Sequence, residues 1–285
     1  MRPDGRIRSL QRRIHDLTTA LPSSPTISTT HPIVVKIGGS TLGAHDTTLE
    51  DLVTLQRQGT IPVVVHGGGA AISHWLKIHD IPSTFVRGLR ITDAAGLEVV
   101  TAVLAGVVNK TLVAGLLALG GSAVGLSGVD GGVVEGRVQD AALGYVGEAT
   151  RIQLGAITAL LGAGFMPVLS TVGYNPSAAG EPRLLNFNAD TVAGEIACAI
   201  GASRLIFLTD VPGVLDQEKR LLPELSAETA AALIEDGTAA GGMIPKLEAC
   251  LVARSRGAES WIIDGRAPHT LLAAVTGSPN GTRIW

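Results

Sequence analysis

The chain has 285 residues, of which 46% are hydrophobic and 16% charged, and its formal net charge is −3. That apolar content excludes disorder along the whole length, and the near-neutral charge gives no electrostatic footprint for nucleic acid or an anionic membrane. Two cysteines, Cys198 and Cys250, form no disulfide framework and no metal-ligand spacing, which fits a reducing cytoplasm. No unbroken apolar run reaches the roughly 18 residues of a bilayer span, so no membrane contact is expected. A chain of this length can build one large α/β domain or two lobes.

The first 31 residues are basic. Ile7, Leu10, Ile14 and Leu17 fall on one face of an amphipathic helix, and the segment from Pro22 to Pro32 has linker composition. Two readings stand: a frayed extension, or a helix that packs between subunits.

Ile33–Gly39 reads IVVKIGG, a short branched run of a strand buried on both faces. A lysine inside such a strand is costly unless its ammonium emerges at the strand end and meets an anion. The glycines Gly38 and Gly39 let a ligand approach the backbone closely. The spacing predicts a helix over Thr47–Gln58, a strand over Pro62–Val65 and a helix over Ala70–His79. Between the last two, His66-Gly67-Gly68-Gly69 forms a strand–glycine–helix turn that can hold an anion on backbone N–H groups.

Arg90 follows on a glycine-containing loop, as a solvated surface arginine or as a bidentate ligand for carboxylate or phosphate. Thr92 or Asp93 caps a long helix reaching about Leu119. Within it Asn109-Lys110-Thr111 imitates the end of a phosphate loop, but the second glycine and the preceding strand are missing, so that reading is rejected.

Strands are expected at Ala123–Ser127 and Met166–Thr171, an antiparallel excursion at Val133–Val138 and Tyr145–Ala149, and a helix at Leu154–Leu161. The alternation of strand and helix argues for a mainly parallel sheet with helices on both faces. Asn186, Asn188 and Asp190 crowd the start of a small-residue helix over Thr191–Ile200, with Asp190 a possible N-cap. The strand Arg204–Leu208 ends in Thr209-Asp210-Val211-Pro212-Gly213-Val214-Leu215, at the strand end where open α/β sheets bind ligands. A helix over Ala227–Glu235, the turn Gly241-Gly242-Met243-Ile244-Pro245-Lys246, a helix over Leu247–Arg256 and a strand over Ser260–Ile263 complete the reading.

KIGG at Lys36–Gly39, VVVHGGG at Val63–Gly69, GLRITD at Gly88–Asp93, NFNADTVAGEIA at Asn186–Ala197, LTDVPGVL at Leu208–Leu215 and GGMIPKLEACL at Gly241–Leu251 occur in this order. From residue 33 to 285 the chain resembles the amino-acid kinase family, in the branch that acts on N-acetyl-L-glutamate. The resemblance implies a three-layer α/β/α sandwich around a mainly parallel open sheet, in two lobes. Residues 32–175 would bind the acyl amino acid and dimerise, and residues 176–285 would bind ATP. It implies transfer of the γ-phosphoryl of MgATP to a carboxylate in arginine biosynthesis.

By the same resemblance Lys36 and Lys246 are the catalytic pair and Asp190 organises them. Gly68, Gly69, Arg90 and Asn186 bind the acyl amino acid. Gly38, Gly39, Thr209, Asp210, Gly213, Val214, Leu215, Gly241, Gly242 and Met243 bind the nucleotide. No protein metal site is expected, Mg2+ being held by phosphates and water. The chain departs from the family at Ala70, Ser40 and Ala274. Arginine-inhibited relatives carry a glutamate at the last position, and its absence argues against feedback inhibition. The rivals are an aminoadipate-type kinase, a catalytically silent member of the fold, and a dehydrogenase, for which the G-x-G-x-x-G spacing is lacking.

Overall fold

The computed structural model describes residues 32–38, 47–86, 88–177, 183–277 and 280–285. The expected N-terminal helix and linker lie outside the described residues, as does Gly39. Strand β1 (Ile33–Ile37) is buried along its whole length and sits between β2 (Val63–His66) and β11 (Arg204–Thr209), parallel to both. Outward from β2 come β8 (Met166–Ser170) and β5 (Ala123–Ser127); outward from β11 come β13 (Glu259–Asp264), β14 (Gly281–Ile284) and β12 (Glu224–Leu225). In this eight-stranded sheet only β13 and β14 pair antiparallel. The strands from β5 to β13 therefore end on one edge, and the sheet runs unbroken through both halves of the chain.

Alternation along the strands sorts the core into two layers. Val34, Val65, Leu205 and Phe207 face helices α5 (Ala189–Ile200) and α7 (Met243–Arg254). Val35, Val64, Ile206 and Leu208 face α1 (Thr48–Arg57) and α8 (Thr270–Thr276), through Leu52, Val53, Leu55 and Leu271. The expected three-layer α/β/α architecture is what the structure shows. The chain also forms α2 (Gly69–Ile78), α4 (Gly155–Gly162), α6 (Ala227–Glu235) and a hairpin of β3 (Phe85–Val86) and β4 (Leu89–Arg90).

The excursion is more than a hairpin. Strands β6 (Val134–Val138) and β7 (Val146–Ile152) close into a small barrel with β9 (Val172–Tyr174) and β10 (Leu184–Phe187). Phe187 fills it: a Cβ at Gly136, Gly147 or Gly173 would lie 2.6, 2.5 and 2.5 Å from its ring. Three strands thus make room for one aromatic side chain, a pattern no alternation rule reveals.

The long helix α3 (Ala94–Ala118) is capped by Asp93, whose Oδ1 accepts from Gly96 N at 2.7 Å. Its middle, Ala102–Val108, opens into a π-turn. Its length and a mean hydropathy of 1.8 also match a membrane span, but Leu97, Val100, Val103, Leu104, Leu112 and Leu116 are buried within the fold. Three boundaries differ from expectation. Asn188, not Asp190, caps α5, its Oδ1 accepting from Asp190 N and Thr191 N at 2.9 and 3.1 Å. Helix α7 begins at Met243, because Pro245 fits within a first turn that needs no N–H partner, so Lys246 lies on the helix and not in the loop. Finally, α8 and β14 follow the strand that was expected to be last.

Candidate active site

Period-two geometry puts Lys36 on the same face of β1 as Val34, the face covered by α5 and α7. Asp190 and Lys246 stand in the first turns of those helices. The two helices touch where Gly194, one turn past Asp190, meets Ala249: a Cβ on Gly194 would fall 2.7 Å from Ala249 Cα. This close approach carries Asp190 and Lys246 together. Lys36 Nζ lies 2.7 Å from Asp190 Oδ1, and Lys246 Nζ lies 2.9 Å from Oδ2. Lys246 Nζ also donates to Gly242 O at 3.1 Å.

Asp190 is 6% exposed and Lys36 7%. Burial alone would raise the Asp190 carboxyl, but the two ammoniums beside it outweigh burial and hold it below the usual carboxylate range. The arrangement is two positive charges on one carboxylate. It leaves a net positive site beside the glycine turn, since Ala189 Cβ lies 3.6 Å from where a Cβ of Gly67 would be.

Beyond that turn opens a cleft of about 140 Å³ lined by Gly68, Gly69, Arg90, Leu104, Asn186 and Asn188, among others. Arg90 is buried at its side, donating to Gly69 O at 3.1 Å and Ser73 Oγ at 2.9 Å and to Ser83 Oγ, with its guanidinium 4.4 Å from the Phe85 ring centre. Among the described residues no carboxylate pairs with it, and burial pulls its pKa down from the ordinary value. A buried cation so placed suits an incoming carboxylate. Asn186 Nδ2 donates to Thr92 Oγ1 at 3.1 Å, which leaves its carbonyl for the cleft. The structure thus brings Gly68, Gly69, Arg90 and Asn186 to one cavity.

The residues expected at the nucleotide fall at the same sheet edge, but not all alike. The Thr209 hydroxyl donates to Val211 O at 2.9 Å and accepts from Val211 N at 3.2 Å, bracing the turn after β11. Val214 is buried, its N–H donating to Thr282 Oγ1 at 2.8 Å, and Gly213 (φ 150°) packs against Thr282 and Leu221. Leu215 bridges Leu221. These four frame the loop, while Asp210 is exposed at its surface. Gly241 (φ 55°) and Gly242 lead into α7, and Met243 opens it. Gly38 closes onto β11 through its N–H to Leu208 O at 3.1 Å.

Strand ends, the N-termini of α5 and α7 and paired ammoniums meet beside one cleft, an arrangement of positive charge and free N–H groups that an open α/β sheet can offer to anionic ligands. The amino acid kinase family model matches residues 31–264, and the chain belongs to that family. It is 46% identical over 261 residues to the acetylglutamate kinase of Dehalococcoides mccartyi, covering 91% of this chain and 96% of the relative. Identity to the acetylglutamate kinase of Rhodopseudomonas palustris is also 46%, over 88% of this chain and 89% of that one. Among solved structures, smu.665 of Streptococcus mutans superposes with a TM-score of 0.76 at 29% identity, covering 89% and 98% of the two chains. The carbamate kinase of Giardia gives 0.68 at 17% identity, covering 89% and 98%, a likeness of fold alone.

Proposed function

We propose that the chain transfers the γ-phosphoryl of MgATP to the γ-carboxylate of N-acetyl-L-glutamate, giving N-acetyl-L-glutamyl 5-phosphate in arginine biosynthesis. The observation that carries this reading is the convergence of Lys36 and Lys246 on Asp190 beside a cleft whose buried arginine, Arg90, has no carboxylate partner among the described residues. The identity to curated acetylglutamate kinases chooses the acyl amino acid.

A carboxylate nucleophile is ionised at neutral pH, so the site needs no general base. It must hold two anions in line and neutralise charge on the group in transit. Lys36 from the sheet and Lys246 from α7 would supply that charge as compact ammoniums. Asp190 acts as organiser: by holding both heads within 3 Å it keeps them from repelling one another out of place. Arg90, the N–H groups of Gly68 and Gly69, and Asn186 would take the carboxylate and acyl ends of the substrate. The loops Thr209–Leu215 and Gly241–Met243, with Gly38 and Gly39, would hold the nucleotide.

Among the described residues no three His, Cys, Asp or Glu side chains are placed to hold a metal ion. Both Asp190 oxygens face lysines. The donor set therefore fits a Mg2+ carried by the nucleotide phosphates and water.

We read residues 32–175 as the acyl amino acid and dimerisation lobe and residues 176–285 as the ATP lobe of a cytoplasmic homodimer. Val107, Leu117, Leu119 and Phe165 support a subunit contact, being exposed apolar residues along the second half of α3 and at the start of β8. The test is hydroxylamine trapping of the acyl phosphate formed from MgATP with N-acetylglutamate, N-acetylaminoadipate or free glutamate. Preference for either competitor, or no product, would overturn the assignment.

A further inference from the structure

Asn109 and Lys110, in the middle of an apolar helix, belong to a network that ends in the glycine turn. Lys110 Nζ donates to Asn109 Oδ1 at 2.9 Å and to Gly125 O at 3.2 Å. Asn109 Nδ2 lies 2.9 Å from Val168 O, 3.2 Å from Leu126 O and 3.0 Å from His66 Nε2. An ammonium only donates and a backbone carbonyl only accepts, so the orientation of the Asn109 amide is fixed at both ends. The two Asn109 N–H groups are shared among these three acceptors, and since an amide nitrogen cannot accept, a proton on His66 Nε2 would have no partner there, so Nε2 carries the lone pair. The proton of a neutral ring then sits on Nδ1, which lies 3.0 Å from Gly67 O.

Burial pushes His66 down to about 4, with Lys36 and Lys110 adding to the effect, so the ring is neutral at pH 7. A trans peptide points its C=O and its N–H in opposite directions. Anchoring Gly67 O on the ring turns the Gly68 N–H away from it.

Gly68 is held from below as well. A Cβ there would meet Leu104 at 2.7 Å and Val108 at 3.3 Å, both in the π-turn that immediately precedes Asn109. Removing the extra residue of that turn would rotate Asn109 by about 100° around the helix, away from His66. One irregular turn thus supports the glycine and orients the residue that sets the ring.

We propose that His66, held by Asn109 as its Nδ1–H tautomer, is a positioning residue that aims the Gly68 N–H into the cleft for the substrate's carboxylate. This rests on the reading that an acyl amino acid occupies that cleft. His66 touches neither substrate nor nucleotide and acts through the peptide.

Two measurements on the full chain test it. Long-range 1H–15N NMR of histidine-labelled protein at pH 7 is expected to show the Nδ1–H pattern for His66, its signal identified by its loss in His66→Gln. An Nε2–H pattern overturns the proposal, and an unchanged spectrum in Asn109→Leu removes Asn109 from it. In kinetics, His66→Asn keeps an amide N–H near the Nδ1 position, whereas His66→Gln moves its amide toward the Nε2 position. His66→Gln is expected to raise KM for N-acetylglutamate about ten-fold or more, with KM for ATP little changed. His66→Asn should recover most of that loss. Equal losses in the two variants, or a parallel rise in KM for ATP, overturn the proposal. If the wild type makes no acyl phosphate from N-acetylglutamate, the substrate assignment falls, and the tautomer spectrum alone decides this one.

Discussion

At the scale of single residues, the site is an arrangement of charges that burial makes strong. Replacing Lys36 or Lys246 by alanine removes half of the positive charge offered to the phosphoryl group, and each change should lower kcat by about 10²-fold or more. Circular dichroism should show the fold intact in both, and near-normal turnover in either would refute its role. Asp190→Asn differs, because it leaves two buried ammoniums facing a neutral amide; it should destabilise the fold by about 3 kcal/mol or more as well as lower kcat. His66 gives the clearest dependence on pH. The unfolded chain binds a proton there as pH falls through 6.5, whereas the folded chain does not until about 4. Stability contributed by the neutral ring is thus whole above 6.5 and lost across that window, about 3 kcal/mol in all. The Asp190 carboxyl, held low by its lysines, carries the acid limb further down. Urea unfolding at pH 7 and 4.5 should show the loss in the wild type and a flatter profile in His66→Gln; equal slopes would contradict it.

At the scale of elements, two close packings set the site, and neither was legible in the sequence. The α5–α7 contact depends on the missing side chain of Gly194, whose Cβ would overlap Ala249 backbone. Gly194→Leu should therefore cost about 1–3 kcal/mol and also lower kcat, because Asp190 and Lys246 ride on the helices it parts. Unchanged kcat at a lowered melting temperature would uncouple that packing from the catalytic pair. In the barrel, Gly147→Ala should be destabilising against the Phe187 ring, and Phe187→Leu should rescue part of that loss in a double-mutant cycle. Additive losses would mean that the ring does not need the glycine. The sheet strands, by contrast, were readable, since buried parallel strands are continuous apolar runs bounded by turns. Lys36 stood out as a polar residue in such a run, whereas Arg90 was read on a loop and its burial came only with the fold. Asp190 and its true cap Asn188 could not be told apart, because either carries an oxygen able to cap a helix. Asn109-Lys110 gave only a rejected phosphate-loop likeness; the available signal was that an asparagine in an apolar helix, once buried, needs polar partners. The π-turn and the plugged barrel arise from tertiary contacts between distant segments, which local periodicity does not encode.

At the scale of the whole molecule, the continuous sheet sets β1 between β2 and β11, strands from the two halves of the chain, so Lys36 meets helices α5 and α7 across one sheet face. Gly88 (φ 80°), in the turn between the strands Phe85–Val86 and Leu89–Arg90, adds a second link: a Cβ there would sit 3.8 Å from Gly241 O, next to the turn that starts α7. Exposed apolar side chains occur in that hairpin, at Phe85 and Val86, and also away from it. Val107, Leu117 and Phe165 are 46, 53 and 40% exposed, and the register of Ala123 with Met166 sets Phe165 beside the residues that follow α3. We expect these three side chains to meet a second subunit, since clustered exposed apolar residues commonly mark such contacts. Light scattering should therefore give a mass of twice 29.2 kDa at micromolar concentration. Leu117→Glu combined with Phe165→Glu should halve that mass while leaving circular dichroism unchanged, since neither side chain is buried within its own subunit. A monomeric wild type, or a double variant that stays dimeric, would place the subunit contact elsewhere or remove it.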